Sequence, residues 1–273
     1  MAAPFSLTQS ILVSDPVAYK SATQSPFLAR ASQGRVSKDV LGQWLANDRL
    51  YIHAYIRGAG RLLSFLRLPE AVSVPRDEAA GREESASTGL LHWVVDALVN
   101  IRREEDFFVR TAARYGLDVN LPAGVDGRVA PGAKLEGLCR FEVLFDGISP
   151  GGRLPWLEAA VVFWATEKCY LDAWSGAAAR LSTADGASQG DADTDADGGA
   201  LRREFVPNWS SGEFAQFVDR LGEIIDSAAR REVRLRQAEG EAVKVELLDR
   251  ALAKWQQVLA AEEAFWPAME ARP

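Results

Sequence analysis

The chain has 273 residues, 38 acidic against 31 basic for a formal charge of -7, and 48% of it is hydrophobic. That is enough apolar material for one large domain or two small ones. The acidic balance, with no clustered Lys/Arg face, argues against a nucleic-acid partner whose phosphates would need neutralising. Two cysteines, Cys139 and Cys169, without a CxxC argue against a disulfide framework or a structural zinc. The apolar runs, such as residues 159–165, fall short of the roughly 20 residues of a membrane span, and the N-terminus lacks a basic segment followed by an apolar core. A soluble, cytoplasmic protein with no membrane partner is expected.

In chain order the signals are helical. Ser25 and Pro26 form an N-cap and first-turn pair for a short helix ending at Gly34. Ser37 caps a long helix in which Val40, Leu41, Trp44, Leu45, Ile52, Tyr55 and Ile56 recur at three- and four-residue spacing, up to Pro69. A third helix runs from about Gly89 to Tyr115, with Gly116 as its stop. After a Gly/Pro-rich loop, Lys134 to Asp146 reads as a short helix and Trp156 to Arg180 as a long one. Two more follow, roughly Ser211 to Gln237 and Ala242 to Trp266. Ahead of these two, residues 182–200, rich in Asp, Gly and Ser, read as a disordered surface insertion within one domain spanning residues 1–273. No alternating run argues for a sheet, so the fold class is all-α, a single-domain helical bundle.

Charged residues should avoid the apolar stripe of an amphipathic helix, so an acid inside it is either paired in the core or functional. Asp48 falls on the row Leu41, Trp44, Leu45, Ile52, Tyr55. Glu167 falls on Phe163, Trp164, Tyr170, Leu171, Trp174, and Glu262 among Trp255, Val258, Leu259, Phe265, Trp266. Glu105, on the row Leu98, Ile101, Phe108, is read as structural, with Glu104 and Arg102 marking a solvated edge. Three inward carboxylates beside aromatic rings suit a flat, polar heterocycle: rings stack on it while acids bind its nitrogens and move protons. A di-iron site would need Glu-x-x-His pairs, but Leu50 and Gly89 stand three residues before His53 and His92, so no metal or other cofactor is expected. Both histidines read as boundary or exposed positions, and Trp44, Trp156, Trp174 and Trp255 as core.

Five segments carry a resemblance: SPFLARASQGRVSKDVLGQWLANDRLYIHAY, RREEDFFVRTAARYGLD, WATEKCYLDAW, PNWSSGEFAQFV and AAEEAFW. In this order they resemble the TenA family of thiaminase II proteins. The resemblance implies a haem-oxygenase-like bundle without haem, usually a homotetramer. It also implies hydrolysis of the C–N bond of a thiamin-derived aminopyrimidine or formylaminopyrimidine in thiamin salvage. On this reading Asp48 matches the pyrimidine-binding aspartate, Tyr51 the tyrosine beside it, Glu262 the catalytic glutamate, and Tyr170 a tyrosine one turn after the nucleophile position.

Two departures stand out. The best-known branch has a cysteine nucleophile where this chain reads Ala165, Thr166, Glu167, and Cys169 lies about a turn away and does not take that role. A second branch, with a glutamate in place of the cysteine, is the better match, which makes Glu167 the second catalytic candidate. Trp209 stands where the family has another tyrosine, able to stack but offering no hydroxyl. The alternative functions are a catalytically silent ligand-binding or oligomeric protein and, behind it, a metal-dependent oxidase on the same fold. Asp193, Asp195, Asp197, Gly198 and Glu204 fit the spacing of a calcium loop, but the preceding residues form no helix and Pro207 interrupts the exit, so the match reads as a product of Asp repetition.

Overall fold

Helices begin where the chain supplies an oxygen to their free N–H groups. Ser6, Asp15, Ser25, Ser37, Ser85 and Ser211 each accept a hydrogen bond from the backbone N–H three residues on. The computed structural model describes residues 5–71, 85–184 and 192–269. Its helices are α1 (Leu7–Leu12), α2 (Pro16–Thr23), α3 (Pro26–Ala31), α4 (Lys38–Phe65), α5 (Ala86–Tyr115), α6 (Glu136–Asp146), α7 (Leu157–Ala184), α8 (Val206–Trp209), α9 (Gly212–Leu235) and α10 (Gly240–Phe265). A π-turn, Leu201–Phe205, leads directly into α8. Among the described residues the only β pairing is an isolated bridge between Ala123 and Val129, and no helix is long and apolar enough to cross a membrane.

The all-α bundle expected from periodicity is present, with the long helices close to their expected limits and Gly116 closing α5 in the left-handed conformation at φ 65°. The helices α1 and α2 escape sequence reasoning because six- and eight-residue segments are too short to display a 3.6-residue period. The central element is α7, buried on all sides between Val161 and Thr166 and packed against α2, α3, α8, α9 and α10. Next to it, α4 lies against α5 and α6, and α10 runs against α1, α2, α6, α7 and α9. The crossing of α6 over α10 is backbone to backbone: a Cβ on Gly137 would stand 2.3 Å from the Phe265 nitrogen.

The disordered insertion expected over 182–200 is corrected wherever it is described; residues 185–191 lie outside the described residues. Up to Ala184 the chain is still α7, and Ala192–Thr194 forms a 3-10 turn. The Ala196 N–H donates to the Gly34 carbonyl at 2.8 Å. Asp197, 1% exposed, accepts the Gly199 and Leu201 N–H groups at 2.9 and 2.7 Å. Composition misleads here because arginines on the next turn match the acids: Asp195 pairs with Arg202 and Asp193 with Arg203, each at 2.8 Å. Glu204 turns to Arg114 at 2.8 Å. These carboxylates of the calcium-like spacing therefore have separate partners in cations and backbone N–H groups.

Candidate active site

Five helices and the turn before α9 converge on a cavity of about 350 Å³. On α4, Asp48 and Tyr51 sit three residues apart and so share a face; Tyr55, one turn further, is 1% exposed and lies behind the wall. The opposite wall comes from α5 with Glu104, Phe107 and Phe108, and α7 contributes Glu167 and Tyr170, again at i, i+3. Trp209 at the end of α8 and Phe214 and Phe217 of α9 complete the aromatic lining, while the exposed Arg103 and Glu213 stand where the cavity meets solvent.

Each carboxylate on the inner wall is held by one aromatic donor. The Tyr170 hydroxyl donates to Asp48 Oδ2 at 3.2 Å, the Tyr55 hydroxyl donates to Glu167 Oε1 at 2.8 Å, and the Trp209 indole N–H donates to Glu104 Oε1. Glu104 and Glu167 retain partial surface exposure, which faces the cavity. Desolvation pushes the Glu104 carboxyl up to about 7 against the opposing pull of Trp209. Glu167 is pushed up to about 7 by burial, with Tyr55 opposing and Glu104 adding to the rise. Asp48 is raised well above the carboxylate range by burial and by the charge of Glu104, against the Tyr170 hydrogen bond.

Five of the six residues singled out from sequence, Asp48, Tyr51, Glu167, Tyr170 and Trp209, meet in this cavity. Glu262 does not line it. It is 3% exposed on α10, accepts no hydrogen bond among the described residues, and is raised well above the usual glutamate range by burial and by the charges of Asp48 and Glu167. Trp209 is itself 2% exposed, stacked on Phe205 with centroids 4.8 Å apart and edge-on to Tyr170 at 5.4 Å.

Glu104 is the inner-wall acid that sequence reasoning misses. The buried face of α5 runs through Ala97, Ile101, Glu104, Phe108 and Thr111, so the inward acid is one residue before Glu105. Glu105 instead meets His53 Nε2 at 2.9 Å and Arg49 at 3.9 Å on the surface side of α4. Cys169 is fully buried away from the cavity, and its thiol is pushed up by burial and by Glu262, which suits a core residue rather than a thiolate. His92 is exposed, and Trp44, Trp156, Trp174 and Trp255 are core residues. Among the described residues no three His, Cys, Asp or Glu side chains are grouped so as to hold a metal ion.

No family model matches the chain. A curated protein of Fusarium pseudograminearum, described as a probable transcription factor, is 27% identical over 248 residues; the match covers 83% of this chain but 46% of that protein, so the chain spans about half of its length. Among solved structures, a TenA homologue from Pyrococcus furiosus superimposes with a TM-score of 0.63 at 19% identity over 95% of this chain and 98% of that one. A TenA family transcription regulator from Silicibacter sp. TM1040 gives 0.60 at 12% identity, covering 97% of both chains. A TenA homologue from P. horikoshii OT3 gives 0.53 at 12% identity over 94% of this chain and 100% of that one. The chain has the fold of the TenA homologues over nearly its whole length.

Proposed function

We propose that this chain hydrolyses the C–N bond of a thiamin-derived aminopyrimidine or formylaminopyrimidine, a reaction of thiamin salvage. One observation carries the reading: an aromatic cavity at the small end of the size range of small-molecule sites holds three carboxylates, two of them pushed to about 7. A flat heterocycle fits between Tyr51, Tyr170 and Trp209, and Asp48, held by Tyr170, faces its ring nitrogen and exocyclic amino group. Glu167 takes the proton of the attacking water, a role that suits a carboxyl titrating close to neutral pH. Glu262, without contact to the cavity, acts on the reaction through the charges of Asp48 and Glu167.

A second reading keeps the cavity and drops the turnover: a ligand-binding protein, favoured by the burial of Cys169 away from the site where the best-known TenA branch uses a thiol. The fungal relative and the Silicibacter structure are described as a transcription factor and a transcription regulator, and a ligand sensor would suit such a role. Purified protein is incubated with thiamin, the aminomethylpyrimidine and its formyl derivative, with product followed by mass spectrometry and binding by calorimetry. Release of the hydroxymethylpyrimidine is the expected result. Binding without product would replace the hydrolase reading with the sensor, and a homotetramer in solution would extend the family resemblance to assembly.

A further inference from the structure

We infer that Glu104 is a catalytic acid of this site, the group that protonates the departing nitrogen while Glu167 takes a proton from water. The inference deepens the hydrolase reading and rests on it. A group that exchanges protons with substrate has to touch it, and the acids of the inner wall are Asp48, Glu104 and Glu167, Glu262 not being among the lining residues. Asp48 is bound by Tyr170 and committed to recognition. That leaves one glutamate on α5 and one on α7, close enough for the charge of Glu104 to act on Glu167 and enclosed by the same aromatic rings.

The orientation of Glu104 specifies where its proton sits. Trp209 is pinned between Phe205 at 4.8 Å and Trp174 at 4.6 Å, so its N–H points in one direction and occupies Oε1 of Glu104. An indole N–H donates but neither accepts nor gives up a proton. When Glu104 is protonated the hydrogen therefore rests on Oε2, the oxygen left for a ligand. Glu167 has the same arrangement, with Oε1 taken by Tyr55 and Oε2 free. Two interacting carboxyls of this kind lose their protons in sequence, which supplies one donor and one acceptor over the same pH range. The groups facing Glu104 are Trp209, Asp48, Tyr170 and Glu167, with Arg103 and Glu213 nearer solvent.

The step balances. The bond between the methylene carbon and the amine nitrogen breaks with its electron pair going to nitrogen, which takes the Glu104 proton and leaves as ammonia. The water oxygen bonds to the carbon and its proton passes to Glu167, giving the alcohol. Solvent then returns a proton to Glu104 and removes one from Glu167.

The test is Glu104→Gln, whose amide oxygen still accepts the Trp209 N–H, compared with Glu105→Gln one position along on the His53 side. Aminomethylpyrimidine hydrolysis by Glu104→Gln is expected to fall about 100- to 1000-fold in kcat, with the product pyrimidine bound within about threefold of wild type and the alkaline limb of the pH profile removed. Glu105→Gln is expected to match wild type. Trp209→Phe, which removes the bond that lowers the Glu104 pKa, is expected to move the alkaline limb upward, and decides the matter if Glu104→Gln does not fold. An active wild type with undiminished Glu104→Gln, or an alkaline limb unmoved by Trp209→Phe, overturns the role of Glu104 alone. A wild type that turns over none of the pyrimidines overturns the hydrolase reading, and this inference with it.

Discussion

Tyr55 of α4 donates its hydroxyl hydrogen to Glu167 of α7 at 2.8 Å, from a position 1% exposed and behind the cavity wall. Its hydroxyl therefore serves Glu167, and its bond is the opposing influence that keeps the Glu167 pKa from rising further. Tyr55→Phe removes a hydrogen bond to an ionisable group worth about 1.5 to 3 kcal/mol, or about one to two pH units. The acid limb of kcat/KM is expected to move to higher pH by that amount while the alkaline limb stays in place. A profile superimposable on wild type would show that Glu167 is not the base.

In the proposed function Asp48 sets recognition against stability. Its carboxylate is buried and close to Glu104 and Glu167, with one hydroxyl from Tyr170 in compensation. Asp48→Asn is expected to weaken binding of the aminopyrimidine at least tenfold by calorimetry and to raise the melting temperature at pH 8, because an amide carries no charge into that setting. Weaker binding with a lower melting temperature would mean that Asp48 is a structural acid.

The buried acids also set the pH dependence of folding. Glu104 and Glu167 titrate near 4.5 when exposed and near 7 in the fold, so between those values the folded chain binds more protons than the unfolded one. Stability is then full below pH 4.5 and declines as pH rises towards 7, by about 1.4 kcal/mol per pH unit for each group. Denaturant melts of wild type and of the Glu104→Gln/Glu167→Gln double variant, compared at pH 5 and pH 7, should differ in slope in that sense. Parallel curves would place both carboxyls in a wetter site than the structure shows.

Asp197 is expected to be a structural acid of the turn entering the π-turn. Replacing it with Ala frees two buried N–H groups and should cost about 1 to 2 kcal/mol in chemical denaturation. Millimolar calcium is expected to leave the melting temperature of wild type unchanged, since Asp193, Asp195 and Glu204 pair with arginines and Asp197 with backbone. A rise of several degrees with calcium would restore the cation-binding reading.

How much of the fold and the site is legible depends on length and phase. The long helix α4 can be read because Ser37 and seven apolar positions agree, and Asp48 stands out against that row. On α5 the same method misses by one residue: on the row Leu98, Ile101 and Phe108, positions 104 and 105 both lie near the face, and the adjacent charges of Arg102 and Arg103 hide which one turns inward. For Glu262, burial is legible but its place is not. A helical row shows that a side chain points inward, whereas the empty space it meets is decided by the other helices. The residues after Ala192 are misread because composition counts acids without asking whether the next turn holds arginines.

The donors that hold Asp48, Glu104 and Glu167 are two phenols and an indole. An arginine or lysine in their place would fix both position and ionisation, locking each acid as an anion. Aromatic O–H and N–H groups separate the two: direction in space is set by rigid rings, while the proton count stays free to follow pH, ligand and one another. The cavity is in that sense geometrically stiff and electrically soft, and a ligand's own charge can decide which of its acids holds a hydrogen.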